Sequence, residues 1–190
     1  MTNRSFTQRL LATIVMALTI SAIYGCSSST APHNPNMQGL QEVIQTEFPT
    51  AQGPRVSLAN YSGKVVLLHF FASWCPDCAQ EAPSLKNLHS AFKGSDFQII
   101  GVSIDNDPFE ARNFATRFGL SFPIVIDPQE ELKRYFSIKE VPTTIFLDRM
   151  GVPVTFQDPD TGVATAKLVG ARRWDTERPV EMIAGMIEAR

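Results

Sequence analysis

Apolar positions along this chain change period as it proceeds, and the changes predict its elements. Residues 64–72, KVVLLHFFA, form a nearly continuous apolar run of strand length. Such a run suits a strand covered on both faces, hence a central place in a partly parallel sheet. From Pro76 to Phe92 the period turns helical: Leu85, Leu88 and Phe92 share a face, and Gly94 ends it. FQIIGVSI (97–104) is the next strand. Asp107-Pro108-Phe109-Glu110 then opens a helix, with Asp107 to cap free N–H groups, Pro108 at the first position and Glu110 in the first turn. Ala111, Phe114, Ala115 and Phe118 make its buried stripe before Gly119. A similar helix start follows PIVI (123–126) at Asp127-Pro128-Gln129-Glu130. TTIFLD (143–148) is a strand, and VPVTFQ (152–157) is expected to pair with TAKLVG (165–170) around the turn residues 158–162. Val180, Ile183 and Ile187 give a closing amphipathic helix. The order β-α-β-α-β-α-β-β-β-α implies right-handed parallel crossovers followed by an antiparallel meander. The fold class is therefore α/β, a mixed central sheet flanked by helices with an extended C-terminal β-hairpin.

The first residues do not fit that pattern. Arg4 and Arg9 precede an uncharged apolar stretch, residues 10–25. As a helix it rises roughly 24 Å, short of the roughly 30 Å hydrocarbon core, so residues 1–25 read as an export signal. Residues 26–50 begin with a Ser/Pro/Asn-rich stretch expected to be a flexible linker. A single domain over 51–190 remains. Residues 40–48 carry only a weak signal for a short helix or strand.

Composition excludes several functions. A net charge of −2 with no basic stripe argues against nucleic acid as a partner. The three cysteines, Cys26, Cys75 and Cys78, are too few for a disulfide framework. Ile23-Tyr24-Gly25-Cys26 resembles a bacterial lipobox, in which signal removal leaves Cys26 as a lipidated N-terminus. An uncleaved anchor, or cleavage near Ser29-Thr30-Ala31, are the alternatives. All three place the domain outside the cytoplasm, facing a periplasm or cell envelope.

Cys75 and Cys78 stand where the first strand passes into a helix. Exposed N–H groups and the helix dipole there favour a thiolate at Cys75, and Cys78 lies almost one turn on, placed to resolve a mixed disulfide. Zinc wants four ligands, and His33, His69 and His89 are the only histidines beside this one pair, so no metal is expected. A purely structural staple closing so small a ring would stabilise little. Redox exchange fits best, with no cofactor beyond the Cys75–Cys78 disulfide.

FFASWCPDCAQEAP (70–83) resembles the active-site segment of a thioredoxin-fold protein. GKVVLLHFFASWCPDC, the inserted β-α unit of residues 99–127, KEVPTTIFLDRMG and VGARRW together are similar to the membrane-anchored TlpA/ResA-type thiol–disulfide oxidoreductases. The resemblance implies a thioredoxin-like fold carrying that inserted β-α unit. It implies a cis Pro142 against the cysteines and a Val141 backbone that pairs with substrate. It places Trp74 and Pro76 on the docking surface, lets Pro83 kink the helix, and gives Glu81 the proton of Cys78. His69 takes the place where cytoplasmic thioredoxins carry a buried aspartate; it is either an acid/base or a core residue satisfied by one hydrogen bond. Asp77 is expected to disfavour the thiolate and, with His69, to tune the pair toward reduction. The implied function is reduction of disulfides in exported proteins, apocytochrome c among them, by a monomer fed from a membrane thiol donor. The alternatives are a peroxiredoxin-like thiol peroxidase, suggested by GVSIDNDPFEARNF, and a copper-delivery protein of the same fold.

Overall fold

The structure, a computed structural model, describes residues 35–189. The leader, the lipidation candidate Cys26 and His33 lie outside the described residues. Helix α1 (Pro35–Gln45) and a 3₁₀ turn (Leu58–Tyr61) precede β1 (Val65–Phe71). There follow α2 (Pro76–Ala91), β2 (Phe97–Ser103), α3 (Pro108–Phe118), β3 (Ile124–Ile126), α4 (Glu131–Tyr135) and β4 (Thr143–Leu147). The chain ends with β5 (Phe156–Gln157), β6 (Ala164–Thr165), β7 (Leu168–Val169) and α5 (Glu177–Glu188).

The main sheet has the order β3-β2-β1-β4-β7. β1, β2 and β3 run parallel, while β4 and β7 are antiparallel to their neighbours. All seven residues of β1 are buried, as its unbroken apolar run requires of a central strand with both faces covered. Strand alternation divides the core into two. Leu67 and Phe71 pack with Leu85 and Leu88 of α2, Phe114 of α3, Trp174 and Ile183 of α5. Val66, Leu68 and Phe70 pack on the other side with Leu40 and Ile44 of α1, Leu132 of α4 and Phe136. His69 belongs by this alternation to the α2 face. Gly101, opposite His69 on β2, is fixed by space: a Cβ there would lie 3.2 Å from both Phe71 and Ile124 side chains.

Three expectations need correction. Residues 35–50, taken as the end of a linker, are folded: Leu40, Ile44 and Phe48 are buried, and Phe48 and Val56 form a β-bridge. Their three apolar side chains suffice once a sheet face is there to receive them. The second correction concerns the hairpin. β5 pairs with β6 as a separate two-stranded sheet, while Leu168 and Val169 turn away and pair with Thr144 and Thr143. The open edge of β4 offers ladder hydrogen bonds that a longer hairpin would forgo. Third, α4 starts at Glu131, not at Pro128; Asp127 still accepts hydrogen bonds from the N–H groups of Glu131 and Lys133, at 2.8 and 3.0 Å.

Candidate active site

Cys75 and Cys78 are joined in a disulfide, with Cα atoms 5.3 Å apart. Cys75 is the N-cap of α2, and its sulfur accepts the Cys78 backbone N–H at 3.1 Å. Pro76 holds the first helical position, where its missing N–H costs nothing. Both sulfur-bearing residues are largely buried, Cys78 more so than Cys75. Asymmetry of this kind leaves Cys75 the more accessible of the two residues.

The loop that presents Cys75 is held from the neighbouring strand. Asp105, buried just beyond β2, accepts from the Ser73 N–H at 3.0 and 3.1 Å, from the Ser73 hydroxyl at 2.9 Å and from the Ser103 hydroxyl at 2.7 Å. Opposite the pair, the Val141–Pro142 peptide is cis, and the Val141 carbonyl oxygen lies 3.7 Å from Cys75 Sγ. The Pro142 carbonyl accepts from Gly170, so β7 secures this loop. Trp74 is 68 % exposed, which excludes core packing as its role and leaves it on the surface beside Cys75. Asp77 is exposed in the first turn of α2.

Glu81, one turn beyond Cys78 on the same helix face, is only 2 % exposed. Its Oε2 accepts the Arg172 backbone N–H at 3.0 Å, and its Oε1 accepts the Trp174 indole N–H at 3.4 Å. His69 Nε2 lies 3.1 Å from the same Oε1. Burial pushes the Glu81 carboxyl up to about 7; the Arg172 N–H, the Trp174 indole and the Arg172 guanidinium pull the other way, and Asp77 adds a push upward. Burial also drives the His69 imidazole well below its usual range, so that it is neutral. The His69–Glu81 contact is then a hydrogen bond between groups sharing protons, not an ion pair. On its far side His69 Nδ1 meets Thr144 Oγ1 at 3.0 Å.

Of the residues singled out in the sequence, Trp74, Cys75, Pro76, Asp77, Cys78, Glu81, Val141 and Pro142 gather at the C-terminal end of β1 and the start of α2. His69 joins them from beneath, with two polar partners in place of the expected one. His89 does not join them: its Nδ1 contacts Ser121 Oγ at 3.2 Å, at the end of α2 away from the cysteines. Pro83 lies within α2 and cannot donate to the Ala79 carbonyl. Four residues of the site, Asp105, Thr144, Arg172 and Trp174, had no role assigned from the sequence, although Arg172 and Trp174 lie within VGARRW. The first is an acid directly after a strand, a signal that could have been read; the others depend on contacts across the fold. Arg172 itself is held by Asp158 at 3.4 Å and Asp160 at 3.0 Å, and its guanidinium lies 5.7 Å from the centre of the Trp174 ring.

Known proteins resemble this chain in sequence and in fold. A family model described as AhpC/TSA matches residues 40–154, more than half of the chain. The thiol-disulfide oxidoreductase ResA of Geobacillus kaustophilus is 35 % identical over 100 residues, which span 53 % of this chain and 58 % of that protein. ResA of Halalkalibacterium halodurans is 33 % identical over 129 residues, 68 % of this chain and 72 % of that one. A Chlorobium tepidum crystal structure, described as a thiol:disulfide interchange protein DsbE, superposes with a TM-score of 0.62 at 27 % identity, covering 75 % of this chain and 92 % of that chain. Such neighbours share the thioredoxin-like fold that residues 70–83 imply.

Proposed function

The chain belongs to the AhpC/TSA family, and from that premise we propose that it is a thiol–disulfide oxidoreductase of the ResA type, passing two electrons from its cysteine pair to disulfides of exported proteins. The observation that carries this reading is the Cys75–Cys78 disulfide at the α2 N-terminus, with Val141 beside it and a buried carboxyl one turn along the helix. In the reduced protein the Cys78 N–H and the helix dipole favour a Cys75 thiolate. The thiolate attacks a substrate disulfide; one substrate sulfur leaves as thiolate and a mixed disulfide forms. Cys78 then loses its proton to the Glu81 carboxylate and attacks Cys75 Sγ. The Cys75–Cys78 bond forms, and the second substrate sulfur departs. An extended substrate strand docks along the Val141 backbone, with Trp74 and Pro76 as its apolar floor.

The direction is reducing. Asp77 and ionised Glu81 set negative charge along the helix that carries the thiolate, which disfavours the reduced pair and makes it a better donor. A membrane thiol donor restores the pair, and a lipid on Cys26 keeps the domain at the extracytoplasmic face. Reduction of apocytochrome c before haem attachment is one task this arrangement suits.

Equilibration with glutathione buffers tests the direction, and a trapping variant tests the roles. The midpoint is expected well on the reducing side of strong periplasmic oxidants; a value near their roughly −120 mV overturns the reductant reading. Cys78→Ser is expected to accumulate a mixed disulfide with a disulfide-bonded substrate, while Cys75→Ser accumulates none. The opposite result reverses the two roles.

A further inference from the structure

We propose that His69, backed by Thr144, is a positioning residue that keeps Glu81 partnered in both of its protonation states by changing tautomer in step with the carboxyl. The proposal rests on the reading of Glu81 as the proton acceptor of Cys78, and it concerns what makes a buried acceptor workable.

A buried carboxyl that gains and loses a proton has a hydrogen-bonding problem. As a carboxylate it only accepts; as an acid it carries an O–H that needs an acceptor. The Arg172 N–H and the Trp174 indole N–H can only donate, so neither can take up the O–H of the acid. Among the described residues, the contact of the Glu81 carboxyl that can also accept is His69 Nε2, 3.1 Å from Oε1. An imidazole accepts at Nε2 only if its proton sits on Nδ1, and that proton then needs an acceptor of its own. Thr144 Oγ1 supplies it at 3.0 Å, and a hydroxyl can equally donate by turning its O–H.

Two arrangements therefore keep the Glu81 carboxyl and both imidazole nitrogens paired. With Glu81 protonated, its O–H donates to Nε2 and Nδ1–H donates to Thr144. With Glu81 ionised, Nε2–H donates to Oε1 and the Thr144 hydroxyl donates to Nδ1. The imidazole carries one proton in both, so the change between them is a single proton, the one that Cys78 gives up in the resolving step. An unpaired buried polar group would otherwise cost more than the bond it lacks. His69 is 3 % exposed and Thr144 is 2 % exposed, so bulk solvent does not reach them. The groups that bear on this pair are Cys78 and Asp77 on α2, Arg172 and Trp174 before α5, His69 itself on β1 and Thr144 on β4. The charge on Arg172 is already engaged by Asp158 and Asp160.

Nitrogen-15 and carbon-13 NMR of the full-length oxidised protein, without substrate, tests this directly. Between pH 5 and 9 the His69 ring nitrogens are expected to pass from the Nδ1–H pattern to the Nε2–H pattern. Their midpoint should coincide with that of the Glu81 carboxyl carbon, and Glu81→Gln should hold one tautomer throughout. A single tautomer across the wild-type titration, or an imidazolium replacing the switch, overturns the proposal. A second measurement follows the pH profile of the resolving step. His69→Leu is expected to displace its inflection by one pH unit or more, and His69→Gln, whose amide can both accept and donate, to return it toward the wild type. An inflection unmoved in His69→Leu overturns the proposal as well. A wild-type profile with no inflection that depends on Glu81 instead overturns the acceptor reading of Glu81, which the nitrogen shifts answer separately.

Discussion

At the scale of single residues, the decisive one is Glu81. Its carboxyl, ordinarily near 4.5, is raised to about 7 by burial. A group whose pKa is raised by folding contributes stability below its unfolded value, and that contribution is lost as pH climbs through the folded value. For Glu81 the contribution is complete below pH 4.5 and gone above about 7, and it amounts to about 3 kcal/mol at most. His69 works in the opposite sense: burial lowers its affinity for a proton, so its contribution is complete above its usual value and lost on acidification. Glu81→Gln removes the first trend only. Urea unfolding at pH 5 and pH 8 should show the variant gaining on the wild type by up to about 3 kcal/mol as pH rises. Equal pH dependence in the two proteins would overturn the assignment. The sequence showed that Glu81 shares a helix face with Cys78. It could not show the depth of burial, because Arg172 and Trp174, which close over the carboxyl, come from 91 and 93 residues away.

At the scale of elements, the working part is the junction between β1 and α2, and it is held by β2. Asp105 bonds the backbone and hydroxyl of Ser73 immediately before Trp74 and Cys75. Truncation to alanine leaves the Ser73 N–H and the Ser103 hydroxyl without that partner in a largely buried place, at a cost of about 1–3 kcal/mol per group left unpaired. Asp105→Ala should therefore lower the urea midpoint and slow exchange, while the Cys75–Cys78 disulfide still forms. A variant as stable and as fast as the wild type removes Asp105 from the site. The strong elements were legible because their signals are local: an unbroken apolar run for β1, Asp107 with Pro108 and Glu110 for α3, Gly119 at φ 64° for its end. β7 was misplaced because two residues, Leu168 and Val169, carry no preference between the short hairpin and the free edge of β4. Asp127 did mark a cap, but the backbone needed a further turn, with Glu130 at φ 55°, before α4 could start.

At the scale of the whole molecule, the sheet needs cover on both faces, and the second cover comes from segments that looked dispensable. Leu40 and Ile44 of α1 lie against Val66, Leu68 and Phe70 of the central strand. Ile44→Ala should cost about 2–5 kcal/mol, the range for deleting a buried aliphatic side chain, read as a lowered unfolding midpoint. Beginning the chain at residue 51 should cost more, since it uncovers the whole patch. Unchanged stability in Ile44→Ala would return residues 35–50 to the status of a tether. A linker reading came naturally from the Ser, Pro and Asn residues just before α1. Two buried apolar side chains on one short helix, with Phe48 just beyond it, say little until the face they meet is known.

The long reach of Arg172 and Trp174 to Glu81 also sets a timetable. During synthesis the two cysteines emerge more than 90 residues before the groups that satisfy the carboxyl beside them. A nascent chain can thus form its disulfide before it owns the apparatus that tunes it. The surroundings that set the proton affinity of Glu81 are complete only once residues 172–174 have been made, long after the cysteine pair they serve.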